Sequence, residues 1–421
     1  MRACASSKRL LQKSFRLDFI IGTLELISGL EVVGGCANDS TEKRLSKTCY
    51  SHLLPHILFR AELPILLKDS TFQSLNGPIQ NMAIDCEAMP WLTEFRPRRG
   101  LLNGHVQTIL GNYLPRPRFS LNGEAETVVV DPADGSRVLC FGHWQPESKR
   151  ARALTVVLVH GLEGSSDSRY MQGMAMRAFA ADCNVVRMNM RNCGGSDALT
   201  PTLYHSGLSG DVGAVVQHYV ARYGLEQFAL VGYSMGGNLV LKLAGEWGAR
   251  EPLRAVASVC PAIDLAAGSD ALHEPANRIY EWHFLRRLLQ RFRRKAQLFP
   301  QVYTKLDFGP IRSLRQFDDR IVAHYCGFTG ADDYYYRASS ARVIDGIAIP
   351  TLMLRALDDP FIRLTEQTRD KILSNRKIQM VETAHGGHCA YLGADAGDDI
   401  HWAESTVIRY LLHHTAEDHG S

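Results

Sequence analysis

The feature that most constrains the fold is a rhythm. From residue 125 onward, short and almost wholly apolar runs alternate with stretches whose apolar residues recur every three or four positions. The runs "LTVVLVHG" (154–161), "NVVRMNMR" (184–191), "QFALVGY" (227–233) and "RAVASVCP" (254–261) are too continuously hydrophobic to leave one face in water. Between them lie helical patterns at 171–181, 208–223 and 236–248, the last ending at a glycine. Consecutive strands joined through helices pair in parallel, so the pattern predicts an α/β fold, a mostly parallel sheet covered on both faces. "ETVVVD" (126–131) and "RVLCFGHW" (137–144), joined by "PADG", predict an opening hairpin.

After residue 265 the alternation stops, and it resumes with "IPTLMLRA" (349–356), "KIQMVET" (377–383) and a closing helix over 402–414. Residues 266–346 therefore read as a mainly helical insertion, a cap, within one domain spanning 89–415; residues 416–421 are a tail. Residues 1–88 differ. "KRLLQKSFR" and "LDFIIGTLELISGLEVVGGC" imitate an export signal, but Asp18, Glu25 and Glu31 interrupt the apolar part, and each charge in a membrane costs roughly 3 kcal/mol. The expectation is a poorly structured extension, with Met82 a candidate start and the cytoplasm the expected location.

One junction of strand and helix carries chemistry. Gly232-Tyr233-Ser234-Met235-Gly236 is a G-x-S-x-G placed where a buried strand gives way to a helix. There a sharp turn exposes the serine, and glycines two positions away let strand and helix approach. The helix N-terminus behind it favours developing negative charge. A serine hydroxyl needs a base. "TAHGGHCAYL", after the last strand, offers His385 and His388, of which His388, preceded by two glycines, is the expected base. "TLMLRALDDPF" offers Asp358 and Asp359 as the carboxylate; Asp358, first past the apolar run, is preferred, with Asp359 the alternative. Two backbone N–H groups must hold the oxyanion. Met235 supplies one by its place after the serine, and Leu162, in "HGLEG" (160–164), is nominated for the other, with His160 and Glu163 bracing that loop.

Composition excludes more than it identifies. A net charge of +3 over 421 residues is too small to argue for a nucleic-acid partner, and none is expected. Ten cysteines, without CxxC pairs or zinc-ligand spacing, predict reduced thiols and no metal. The phosphate-binding patterns G-x-x-x-x-G-K-[ST] and G-x-G-x-x-G do not occur. Within the insertion, 277–299 mixes Phe284, Leu285, Leu288, Leu289 and Phe292 with Arg286, Arg287, Arg291, Arg293, Arg294 and Lys295. Such a helix either packs its apolar stripe on the core or lies on an anionic membrane surface.

Taken together, "RRGLLNGHVQTIL" (98–110), "LVHGLEGSSDSRYM" (158–171), "NMRNCGGSD" (189–197), "GYSMGGNLVLK" (232–242), "FDDRIVAHYCGFTGADDYYYRASS" (317–340), "ALDDPF" (356–361) and "GGHCAYL" (386–392) resemble the YheT-like hydrolases, the AB hydrolase 4 branch of the α/β-hydrolase superfamily. The resemblance runs in order from about Trp91 to the C-terminal helix. It implies an α/β-hydrolase fold and a serine esterase, lipase-like, that acts on small-molecule or lipid esters without a cofactor, its triad falling on Ser234, Asp358 and His388. Acyl transfer through the same triad, or a hydrolase fold that binds without turnover, are the alternatives. "NGHVQT" is part of the likeness, and Asn103, His105 and Gln107 either bind backbone near the site or pack the N-terminus.

Overall fold

The computed structural model describes residues 89–114, 123–394 and 400–416. The extension expected over 1–88, and residues 417–421 of the expected tail, lie outside the described residues. Eight strands form one sheet in the order β1-β2-β4-β3-β5-β6-β7-β8. β1 (Glu124–Asp131) and β2 (Ser136–His143) make the antiparallel hairpin, and β2 also runs antiparallel to β4. From β4 (Asn184–Met188) through β3 (Thr155–Val159), β5 (Phe228–Tyr233), β6 (Leu253–Val259), β7 (Thr351–Ala356) and β8 (Ile378–Thr383) every pairing is parallel.

The continuous runs occupy the middle of the sheet for the reason their composition requires. Every residue of β3, β4 and β5 is buried. Val157, Val186 and Leu230 point into one apolar layer; Val156, Val185 and Ala229 point into the other. The longer helices are α1 (Gly104–Tyr113), α2 (Arg169–Ala180), α3 (Ser209–Tyr223), α4 (Met235–Trp247), α5 (Leu265–His273), α6 (Arg278–Leu298), α7 (Ala331–Ala338), α8 (Glu366–Ser374) and α9 (Trp402–Thr415). α3 and α4 pack in the first layer, whereas α2 and α9 pack in the second. Among the described residues, no helix is long and apolar enough to cross a membrane.

Between β6 and β7 the chain is helical, with α5, α6, a short π-helical turn at Asp318–Val322, and α7. α6 turns Leu285, Leu288 and Phe292 into the core, with Phe284 and Leu289 partly buried beside them, so this stripe is spent on the protein itself. Its basic residues at steps of four follow the same face. Arg291 forms a two-pronged pair with Glu163, Arg287 approaches the same carboxylate, and Lys295 donates to the carbonyls of Asp197 and Thr200. Burial lowers the Lys295 ammonium to a pKa of about 8, despite help from Asp197. Asn238 of α4 fixes the far end of the insertion. Its amide donates to the carbonyls of Ser206 and Ala338, and its oxygen accepts from the Ser340 N–H, all within 2.9 Å.

Candidate active site

In a parallel sheet the loops leaving the carboxyl ends of the strands gather along one edge, and the site lies there. At the end of β5 the chain turns on Ser234, held at φ 55° and ψ −118°, a conformation costly for any side chain and kept only where the surroundings dictate it. The glycines are there for contact. A Cβ on Gly232 would strike the Gly236 carbonyl, and one on Gly236 would strike the carbonyls of Val159 and His160. The Ser234 N–H donates to the Val259 carbonyl (2.9 Å), and the Ser234 carbonyl accepts from Asn238 (3.1 Å) and Ala262 (3.2 Å). The turn is thereby tied to the neighbouring strand and to α4.

The loop after β3 lies against this turn, for a Cβ on Gly161 would sit 3.1 Å from that of Ser234. His160 and Glu163 both brace it. His160 is fully buried and accepts from the Met190 N–H (3.1 Å) through Nε2, so its proton sits on Nδ1 and is donated to the Gly161 carbonyl (2.8 Å). Burial lowers its pKa to about 4 and keeps it neutral, although the Gly161 bond opposes this. Glu163, at φ 56°, is nearly inaccessible; it accepts from the Tyr204 hydroxyl (2.7 Å) and from Arg291 (2.8 and 2.9 Å). Burial alone would raise its pKa, but the Arg291 pair outweighs that and holds it below the usual value. Between the two, the Leu162 N–H donates to no described residue, and neither does the Met235 N–H. Leu162, Ser234 and Met235 line one cleft with about 840 Å³ of empty space, its opening to solvent included, and most of its wall is apolar.

The expected acid is corrected. His388 Nδ1 stands 2.8 Å from Oδ2 of Asp359, not of Asp358. The reason is a turn that the apolar run does not reveal. The Asp359 N–H reaches back to the Ala356 carbonyl, which leaves Leu357 exposed, Asp358 at the rim and Asp359 facing inward with its side chain 1% exposed. Asp359 Oδ1 accepts from the N–H groups of Phe361 (3.1 Å) and Ile362 (3.0 Å), so its lone pairs are matched. Burial would raise its pKa, but His388 and these two N–H groups outweigh burial and hold it below the ordinary carboxylate value. Asp358 accepts from the Gly387 N–H (2.8 Å) and lies 3.5 Å from His385, giving that second histidine a supporting place. Burial raises the Asp358 pKa against these partners.

Several groups hold His388. Its N–H donates to the Thr108 hydroxyl (2.8 Å), which itself donates to the Gly104 carbonyl (2.6 Å), and the Phe361 ring lies 4.2 Å away, centroid to centroid. The Gln107 oxygen accepts from Leu392 N–H (3.0 Å), and its amide donates to the Leu101 carbonyl (2.8 Å). "NGHVQT" thus starts a helix that carries the histidine loop: Asn103 caps it through the Val106 N–H, while His105 stacks on Tyr280. Cys389 completes the link to the serine, because its thiol points at the Val259 carbonyl (3.5 Å), the acceptor of the Ser234 N–H. Thr108, Asp359 and Phe361 are the residues that reading the sequence missed or ranked second. The "DD" pair carried a signal, but Thr108 carried none beyond its neighbourhood.

The fold also gathers Cys260, His388 and Cys389, whose donor atoms lie within 4.8 Å of one another, although their spacing gave no metal signature. They suit a metal poorly. Nδ1 of His388 is already engaged by Asp359, and burial pushes the Cys389 thiol well above its usual pKa, away from the thiolate a metal needs.

Comparison with known proteins bears on the fold and the family. Residues 155–395 match the family model described as alpha/beta hydrolase fold. The chain is 30% identical to the Escherichia coli (strain K12) protein named "Putative esterase YheT", across 76% of this chain and 93% of that one. It is 32% identical to mouse (Mus musculus) Phospholipase ABHD3, across 56% of this chain and 58% of that one. It is 27% identical to a Monoacylglycerol lipase of Saccharomyces cerevisiae, across 74% and 78% of the two chains. Sheet order, strained serine turn and matched sequence agree, and the chain belongs to the α/β-hydrolase family, on its YheT-like branch.

Proposed function

We propose that the protein is a serine hydrolase that cleaves carboxylic esters through an acyl-enzyme on Ser234. His388, its Nδ1–H donated to Asp359, presents Nε2 as the general base. Asp359 fixes that tautomer and stabilises the imidazolium that forms as the serine proton is taken. The N–H groups of Leu162 and Met235 receive the negative oxygen of the tetrahedral intermediate, a contribution of about 3 kcal/mol each. As the tetrahedral intermediate collapses, the ester C–O bond breaks and the imidazolium gives its proton to the departing alcohol; the imidazole, neutral again, then deprotonates a water that attacks the acyl-enzyme, and the acid leaves as Ser234 recovers its proton. The observation that carries the reading is the 2.8 Å contact between His388 and a buried, fully hydrogen-bonded Asp359, on a loop tied through Val259 to a serine held at positive φ.

The apolar cleft and the esterase and lipase names of the relatives support small-molecule or lipid esters as substrates. The cytoplasm suits the free cysteines among the described residues. Membrane contact through the cap would rest on residues such as Trp282, 55% exposed on α6. A fluorophosphonate probe should label the wild type and not Ser234→Ala, and the wild type should hydrolyse a 4-nitrophenyl ester series from acetate to palmitate. A wild type that neither labels nor hydrolyses any ester removes the proposal.

A further inference from the structure

Among the side chains lining the cleft, one is chemically out of place. Asp318 opens the π-helical turn of the insertion and reaches a wall otherwise made by residues such as Leu272, Leu314, Phe317 and Val322. Its Oδ2 accepts from the Tyr335 hydroxyl (2.8 Å). The Tyr335 oxygen in turn stands 2.9 Å from Ser269 Oγ, so the serine proton completes a relay pointing at the carboxyl. Asp318 Oδ1 accepts from no described residue. Arg315, whose charge acts on this carboxyl, is engaged with Asp270 and Asp332. Two of the cleft's tyrosines have partners of their own: Tyr204 donates to Glu163, and the Tyr334 oxygen accepts from the Ser206 N–H.

Asp318 is partly exposed and leaves this acceptor open to whatever enters the cleft, on a wall that offers it little hydration. Burial raises its pKa to about 7, against the lowering influence of Tyr335 and Arg315. Nothing in the proposed ester chemistry at Ser234 uses it. Ser234 comes from the sheet edge and Asp318 from the insertion, yet both face the same cavity, so an ester filling that cavity extends from one to the other.

We propose that Asp318, oriented by Tyr335 and Ser269, accepts a hydrogen bond from a hydroxyl group that the ester substrate carries away from its scissile carbonyl. This rests on the ester-hydrolase reading and specifies its substrate class as hydroxylated esters. The hydroxyl could sit on either half of the ester, and the test has an arm for each. In the acyl arm, 4-nitrophenyl octanoate is compared with its positional hydroxyoctanoate isomers; in the alcohol arm, hexyl octanoate is compared with its hydroxyhexyl isomers.

In the wild type at pH 8, above the Asp318 pKa of about 7, at least one hydroxylated isomer should exceed its parent in kcat/KM by roughly tenfold or more, the scale of a hydrogen bond to a charged acceptor. In Asp318→Leu that ratio should fall to about one or below, whereas Asp318→Asn, which keeps a carbonyl oxygen, should retain part of it. A purely structural role lowers both rates together and leaves the ratio unchanged, and that outcome overturns the proposal. So does a wild type that prefers no hydroxylated isomer in either arm, a result readable even where Asp318→Leu fails to fold. Loss of fluorophosphonate labelling together with all hydrolysis strikes the ester-hydrolase reading instead, whereas a wild type that labels and cleaves only the parent esters strikes this one.

Discussion

The serine turn and the histidine loop face each other across one site, but they are built differently. The turn at Ser234 is made by neighbours in sequence: Gly232 and Gly236 supply the clearance, and α4 begins at the next residue. The histidine loop is made by strangers. Thr108 of α1 holds the His388 N–H from 280 positions away, and Asp359 comes from the end of β7, 29 positions away. A motif can fix what its own glycines enforce. It cannot fix which of two adjacent carboxylates faces inward, because strand pairing and a reverse turn decide that.

The sharpest test of this contrast is the aspartate pair. Asp359→Asn should lower kcat by roughly 10⁴-fold, as expected when the histidine is left in the wrong tautomer. Asp358→Asn, at the rim beside His385, should cost less than about tenfold, since only one hydrogen bond to the Gly387 N–H is weakened. Equal losses, or a larger loss for Asp358→Asn, would restore the assignment drawn from the sequence and break the comparison.

The next largest effect falls where the two kinds of construction meet. Glu163 belongs to the local Gly-rich loop, but its partners Arg291 and Tyr204 arrive from α6 and from the segment before α3. Glu163→Ala leaves the largely buried Arg291 guanidinium with only the more distant Asp197 carboxylate (3.5 Å), and removing one member of such a buried pair costs up to about 3–5 kcal/mol. Chemical denaturation should show that loss, and kcat should fall because the Leu162 N–H is no longer held. An unchanged midpoint would mean that the pair is solvated in solution and that the cap does not brace the oxyanion loop. Thr108→Val should do less: it removes the acceptor of the His388 N–H, costing about 1–3 kcal/mol, and should lower kcat more than it raises KM.

The same distinction explains how much of the molecule could be read in its sequence. The central strands were legible because burial on both faces demands unbroken apolar runs, as in β3 and β5. Ser234 was legible because its turn imposes glycines. The role of "NGHVQT" was not, since the targets of Gln107 and Thr108 lie at Leu392 and His388, near the other end of the chain. The basic stripe of α6 was ambiguous for a similar reason: "RRLLQRFRRK" alone does not disclose that Glu163 and Asp197 wait opposite Arg287, Arg291 and Lys295.

Asp318 carries the comparison to its smallest expected effect, because nothing in "FDDRIV" distinguishes its environment from that of exposed Asp319. In the folded chain its pKa is raised to about 7 by burial, with Tyr335 and Arg315 opposing, whereas an unfolded aspartate titrates near 3.9. Between those values the folded state holds the proton that the unfolded state has lost. The contribution of this group to stability is therefore fully present below about pH 4 and is lost as pH rises through about 7. Asp318→Asn cannot titrate, so its stability relative to the wild type should increase between pH 5 and pH 8. For a half-buried carboxyl screened in part by solvent, the gain should be on the order of 1–2 kcal/mol. Urea midpoints of the two proteins at both pH values measure it. A difference that does not change with pH would mean that Asp318 titrates as its sequence neighbour does, and that the long-range packing of the insertion leaves this carboxyl as wet as an isolated one.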